Sequence, residues 1–80
     1  MRIDKFLKVS RIIKRRTVAN EACDASHIKV NGSVVKASYQ VKENDIIEVA
    51  FGARVLSIRV TRILESPKKA DAGEMYEVLS

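Results

Sequence analysis

Ile28-Lys29-Val30-Asn31-Gly32-Ser33-Val34-Val35 is the stretch that decides the fold. Apolar and polar residues alternate through Ile28, Lys29 and Val30, the period-two pattern of a half-buried strand, and Val34-Val35 resumes an apolar strand after the break. Asn31-Gly32 supplies two residues that tolerate positive φ at both central positions of a type I′ turn, which predicts a tight antiparallel hairpin. An antiparallel sheet therefore begins near residue 28, and the residues before it follow a different period.

Upstream, Ile3, Phe6 and Leu7 fall on one helical face and predict a first short helix from residue 4 to about 9, with Asp4 as its N-cap. Ser10 to Arg16 breaks that period and reads as a basic connection with Ile12 and Ile13 turned inward. Val18, Ala19, Ala22 and Cys23 recur at helical spacing and predict a second, closely packed helix from about 16 to 25, with His27 placed to cap its last carbonyls. Downstream, Asn44-Asp45 is a second turn, with Asn44 in a left-handed conformation. Ile46 to Phe51 and Val55 to Leu64 read as longer strands around Gly52, Ser66 to Gly73 as a solvated loop, and Met75 to Leu79 as a last strand. Phe6 and Phe51 are assigned to the core. The expected fold class is α+β, two short N-terminal helices packed on a small twisted antiparallel sheet with a C-terminal strand extension. Eighty residues make one domain, and a chain of that size buries only about 60 to 65% of its unfolded surface, so one small core is expected.

Charge is unevenly distributed over this plan. Residues 1–20 carry seven basic residues, Arg2, Lys5, Lys8, Arg11, Lys14, Arg15 and Arg16, against the single acid Asp4, a net of +6. Residues 21–80 carry eight basic against nine acidic residues, which completes the +5 of the chain. Solubility alone does not require cations gathered at one end, so the partner is expected to be a polyanion, with nucleic acid first among the candidates. Arginine counts for more than lysine, because its planar fork spans two phosphate oxygens or stacks on a base; Arg15 and Arg16 lead. If about six phosphates are neutralised, binding falls with salt on a log-log slope of roughly −4 to −5. Phe6, Tyr39, Phe51 and Tyr76 are scattered instead of interleaved with cations, so recognition by backbone charge and shape fits better than a base-stacking platform. Tyr39, among Lys36, Ser38 and Lys42, has two readings, packing on the sheet or reaching a ribose.

Several classes are disfavoured. Cys23 is the only cysteine and His27 the only histidine, too few for a disulfide or a zinc site, and no cofactor is expected. Their four-residue spacing would suit an imidazole-activated thiol, but Cys23 lies in the apolar stripe and His27 at the helix end. With no paired carboxylates in a plausible pocket and no glycine-rich phosphate loop, no enzyme is expected. There is neither a signal-peptide apolar segment nor a run of roughly 18 apolar residues to span a bilayer, so a cytoplasmic protein without membrane partners is expected.

Arg2-Ile3-Asp4-Lys5-Phe6-Leu7, the pair Arg15-Arg16, and Ile28-Lys29-Val30-Asn31-Gly32 followed by Val41 and Asp45-Ile46-Ile47-Glu48-Val49 resemble the S-four RNA-binding domain. The resemblance covers residues 1 to about 50, leaves about 51–80 as a strand-rich extension, and implies two helices on a small sheet with RNA on the helical face. Most members append this domain to a catalytic one, for which eighty residues leave no room. The stand-alone form, ending in a segment like Met75-Tyr76, is similar to the ribosome-associated fifteen-kilodalton heat-shock protein family and its shorter Gram-positive relatives. That likeness implies a monomeric factor on obstructed large ribosomal subunits, contacting large-subunit rRNA and peptidyl-tRNA while a tailing factor of the RqcH type adds alanine to the nascent chain. By position it implies RNA contacts from Arg2, Asp4, Lys5, Arg11, Arg15 and Arg16; Lys14 of the basic connection joins them as a candidate, as do Lys36 and Ser38 beside Tyr39. Asp4 then has three open roles: helix cap, acceptor for a ribose hydroxyl or guanine amino group, or orienter of Arg2 and Arg16. Many relatives have glycine near Ser26 and Pro-Gly-Asp where this chain has Glu43-Asn44-Asp45, departures that a different helix cap and a left-handed Asn44 absorb. The rival readings are a ribosome-assembly or duplex-DNA-binding regulator, since helix-turn-helix patterns also place a basic second helix after a short turn, and a protein-interaction subunit whose binding would be insensitive to salt.

Overall fold

A computed structural model describes all 80 residues. Helix α1 (Ile3–Val9) and helix α2 (Arg16–Asp24) precede strands β1 (Ile28–Val30), β2 (Ser33–Val34), β3 (Ile46–Phe51) and β4 (Arg54–Val60); a 3-10 segment at Lys69–Glu74 leads into β5 (Tyr76–Val78). The strands form one antiparallel sheet in the order β2-β1-β3-β4-β5. The α+β plan of two helices on a twisted antiparallel sheet is the one expected. No helix is long and apolar enough to cross a membrane.

Register explains the core. Val30 lies opposite Ile47, Ile47 opposite Ile58 and Ile28 opposite Val49, so the apolar residues of three strands share one face. Ile3, Phe6 and Leu7 of α1 bring the helical layer onto that face, and all three are fully buried. Helices of seven and nine residues are too short to persist alone, so this burial, more than propensity, holds them. Ala19 and Cys23 are the buried positions of α2, and their small size permits close approach to the core.

Positive-φ residues punctuate the chain where turns require them. Asn31 (φ 51°) and Gly32 (φ 88°) make the predicted I′-type hairpin, and Asn44 (φ 73°) is left-handed as expected. Asn31 does more than turn: its side chain donates to Asp45 Oδ1 at 3.2 Å and accepts from the Ile46 N–H at 3.0 Å. Asp45, itself buried, also accepts from the Tyr39 hydroxyl at 2.8 Å and the Lys42 N–H at 2.9 Å. Tyr39 is half-buried against the core and donates its hydroxyl inward, the packing reading of its two. Burial, and then the hydrogen bond to Asp45, raises its pKa. At the end of α2, Ser26 (φ 63°) takes the left-handed position usual for glycine, with Ser26 N–H donating to Cys23 O and His27 N–H to Ala22 O, a complete Schellman closure. His27 therefore caps through its backbone, not its ring.

Other expectations are corrected. Asp4 is not the N-cap: the extended residue before α1 is Arg2, and Asp4 sits inside the first turn, where it accepts the Lys5 N–H at 2.8 Å. The last long strand stops at Val60, short of Leu64, although Thr61 N–H still donates to Met75 O at 2.9 Å, one step further along the β4–β5 register. The segment read as a plain loop contains the 3-10 turn, where Asp71 accepts from the Lys68 N–H at 3.4 Å. Phe51 and Val18 are each 46% exposed; Phe51 lies at the β3–β4 hairpin tip, beyond the reach of the helices, and Val18 is off the buried stripe of α2.

Candidate nucleic-acid interface

The helical face assembles its cations in two places. The first is centred on Asp4, whose position at the start of α1 faces the start of α2. Arg16 Nη2 donates to Asp4 Oδ1 at 3.3 Å, Arg2 Nη2 to Oδ2 at 3.3 Å and Asn20 Nδ2 to Oδ2 at 3.4 Å. The Asp4 side chain is 3% exposed while those of Arg2 and Arg16 remain 45% and 47% exposed. A buried carboxylate thus holds two half-open guanidiniums by one nitrogen each, leaving their other N–H donors to solvent. Burial alone would raise the Asp4 pKa; the hydrogen bonds from Asn20, Arg16 and the Lys5 N–H outweigh it and hold the carboxyl below its ordinary value. Of the three roles open to Asp4, orienting Arg2 and Arg16 is the one its geometry performs. Thr17, Asn20 and Glu21 complete a shallow concavity of about 400 Å³ beside this cluster. Asn20 escaped the sequence reading, since its signal, a polar residue one turn after Arg16 on the same face of α2, becomes meaningful only once Asp4 is known to be buried.

The second place is an open cleft of about 850 Å³ lined by Lys5, Lys8, Arg11, Lys14, Glu65 and Pro67, among others. Lys5 and Lys8 come from α1. Arg11 and Lys14 come from the connection, which turns because Arg11 is left-handed (φ 65°) and its N–H closes on Lys8 O at 3.0 Å. A side chain in that conformation costs roughly 1–2 kcal/mol relative to glycine. Across the cleft Glu65 reaches Lys5 Nζ at 2.8 Å. The hydrogen bond and charge of Lys5 lower the Glu65 pKa.

The remaining candidates stand apart from both clusters. Arg15 is the exposed, extended residue preceding α2 and makes no ion pair. Lys36 and Ser38 are exposed on the loop whose backbone secures the start of α1, with Ala37 O accepting from Asp4 N–H at 3.4 Å and Tyr39 O from Ile3 N–H at 2.8 Å. Cys23 and His27 form no reactive pair: His27 is exposed, and Cys23 is buried, its thiol pushed up to about 11 by burial and then by Asp4 and Asp24. No group of three or more His, Cys, Asp or Glu side chains comes together to hold a metal ion.

The "RQC P-site tRNA stabilizing factor" of Streptococcus pneumoniae is 54% identical over 80 residues, all of this chain and 91% of that one. The protein of the same name from Halalkalibacterium halodurans is 49% identical over 78 residues, 98% of this chain and 89% of that one. The solved structure of heat shock protein 15 from Vibrio cholerae, described as trimeric, superposes with a TM-score of 0.91 at 23% identity, covering all of this chain and 82% of that one, and so shares the fold. The S4 domain family model matches residues 1–47, the two helices, the Asn-Gly hairpin and the start of β3, and this chain belongs to the S4 domain family.

Proposed function

We propose that this chain is a non-catalytic RNA-binding factor of ribosome-associated quality control. In this reading it binds obstructed large ribosomal subunits in the cytoplasm as a monomer, contacts large-subunit rRNA and peptidyl-tRNA, and supports alanine tailing of the stalled nascent chain by a tailing factor of the RqcH type. Residues 1 to about 50 carry the RNA contacts and the extension from about 51 completes the sheet. The observation that carries the reading is the pair of half-open guanidiniums, Arg2 and Arg16, fixed by the buried Asp4 on a face with a net charge of +6 over residues 1–20. The names of its relatives in Streptococcus pneumoniae and Halalkalibacterium halodurans support the same role. Preorganised forks suit phosphates held in a defined shape, as in structured RNA, better than a loose polyanion.

The test is sedimentation of the tagged protein through a gradient at low and high salt, with identification of the RNA that travels with it. Recovery with free large subunits carrying tRNA, weakening as salt rises and lost in a folded R15E/R16E variant, is expected. Retention of that variant on ribosomes at physiological salt removes the reading, and recovery with immature subunits or duplex DNA replaces it with an assembly or regulatory role.

A further inference from the structure

Four cations, Lys5, Lys8, Arg11 and Lys14, converge on one cleft, although like charges three residues apart repel one another. Glycine would be the cheaper residue at the left-handed position 11, yet arginine occupies it and extends the basic wall. The opposite wall comes from far along the chain. Glu65 and Pro67 lie between β4 and the 3-10 segment, and Glu65 pairs with Lys5 across 60 residues of sequence. Glu65 is 69% exposed and Lys5 35% exposed, so the contact is too open to be an anchor of the fold. Its position is informative for another reason: a carboxylate occupies the place where an incoming anion would meet Lys5.

We propose that this cleft is a second RNA-backbone subsite, separate from the Asp4 cluster, which takes a phosphodiester on Lys5, Lys8, Arg11 and Lys14, and that Glu65 sets its affinity by occupying Lys5 until phosphate displaces it. The inference rests on the RNA-binding reading above and adds the site and its regulator. Pro67 restricts the backbone of the wall that carries Glu65, and Ser66 beside it offers a hydroxyl that can donate to a phosphate oxygen. The device limits affinity: each binding event breaks one exposed ion pair, which favours release over permanent occupancy.

The experiment measures binding of the full chain to isolated large ribosomal subunits and to a twelve-residue polyuridine probe over a series of salt concentrations. Relative to the unaltered protein, E65Q is expected to tighten both by about threefold, the scale of one exposed ion pair. The gain should vanish in a K5Q background. E77Q, which frees Arg59 from an equally short pair on β4 and β5, should give none. K8Q/K14Q should weaken binding and make the log-log salt slope shallower by roughly 1.4 to 1.8, the share of two cations. No change in E65Q, a gain that persists with K5Q, or an equal gain in E77Q overturns the role of Glu65; an unchanged salt slope in K8Q/K14Q overturns the subsite. If the unaltered protein binds neither probe, the RNA-binding reading itself fails, which is a separate outcome.

Discussion

Arg16 Nη2 lies 3.3 Å from Asp4 Oδ1, a contact twelve residues apart in sequence that ties the first turn of α2 to the first turn of α1. One bond both pairs a buried carboxylate with a cation and sets the direction of a half-exposed guanidinium.

Replacing that carboxylate by D4N should therefore cost stability and binding together. Both arginine partners are half-exposed, so the loss is about 1–2 kcal/mol instead of the 3–5 of a fully buried pair. Affinity for large subunits should fall roughly tenfold as Arg2 and Arg16 lose orientation. Urea titration and subunit binding check the two effects. The pH dependence has a definite sign: the folded Asp4 pKa lies below its ordinary 3.8, so the stability it contributes is present above 3.8 and is lost as pH falls through the lower folded value.

R16K separates charge from shape. Lysine keeps the charge but loses the fork that reaches Asp4 and phosphate at once. Affinity is expected to drop by roughly tenfold with a stability change below about 1 kcal/mol and a nearly unchanged salt slope. An unaltered affinity would show that Arg16 acts as a point charge.

R11G and S26G make a matched pair. Both residues are left-handed at helix ends, at φ 65° and φ 63°, so glycine should stabilise each by about 0.5–1 kcal/mol in thermal unfolding. Only R11G should also weaken RNA binding, since Ser26 lies outside both basic clusters.

At the hairpin, N31A loses the bonds to Asp45 and Ile46 and leaves φ 51° to a residue without the amide that lets asparagine tolerate the left-handed region. About 2–3 kcal/mol of destabilisation is expected, and N31G should recover roughly 1 kcal/mol of it. The difference between the two, read from urea midpoints, isolates the backbone part.

Cys23 should react with thiol reagents at pH 8 only at the rate of opening. Its folded pKa is raised from 9.0 to about 11, so the stability linked to the neutral thiol is full below 9.0 and declines as pH rises toward 11. Rapid labelling in native buffer is the contrary outcome.

Local chemistry was legible wherever a residue's reason lies within a few positions of it. Asn31-Gly32 announces its own turn, and Ile3, Phe6 and Leu7 announce their face. The errors arose where distant partners decide. Phe51 reads as core, but the helices stop short of the hairpin tip; Asp4 reads as a cap, but Arg16 and Asn20 claim its oxygens. The same limit governs the site. Clustered cations at the N-terminal end were visible as composition, whereas their division between the Asp4 cluster and the cleft depends on where Glu65 returns, and no spacing rule spans 60 residues.

The burial of Ile3, Phe6 and Leu7 against the strands has a consequence for discrimination among RNAs. The basic residues of positions 1–20 attract RNA whether or not the chain is folded, since counterion release depends on charge alone. A detached peptide of that segment, with helices too short to persist, should keep much of the salt-dependent attraction and respond to any polyanion. The sheet adds selectivity instead of attraction: it holds the cations at separations that only some phosphate arrangements can match. Core substitutions such as F6A, whose side chain is fully buried, should on this ground erase preference among RNAs before they erase binding itself.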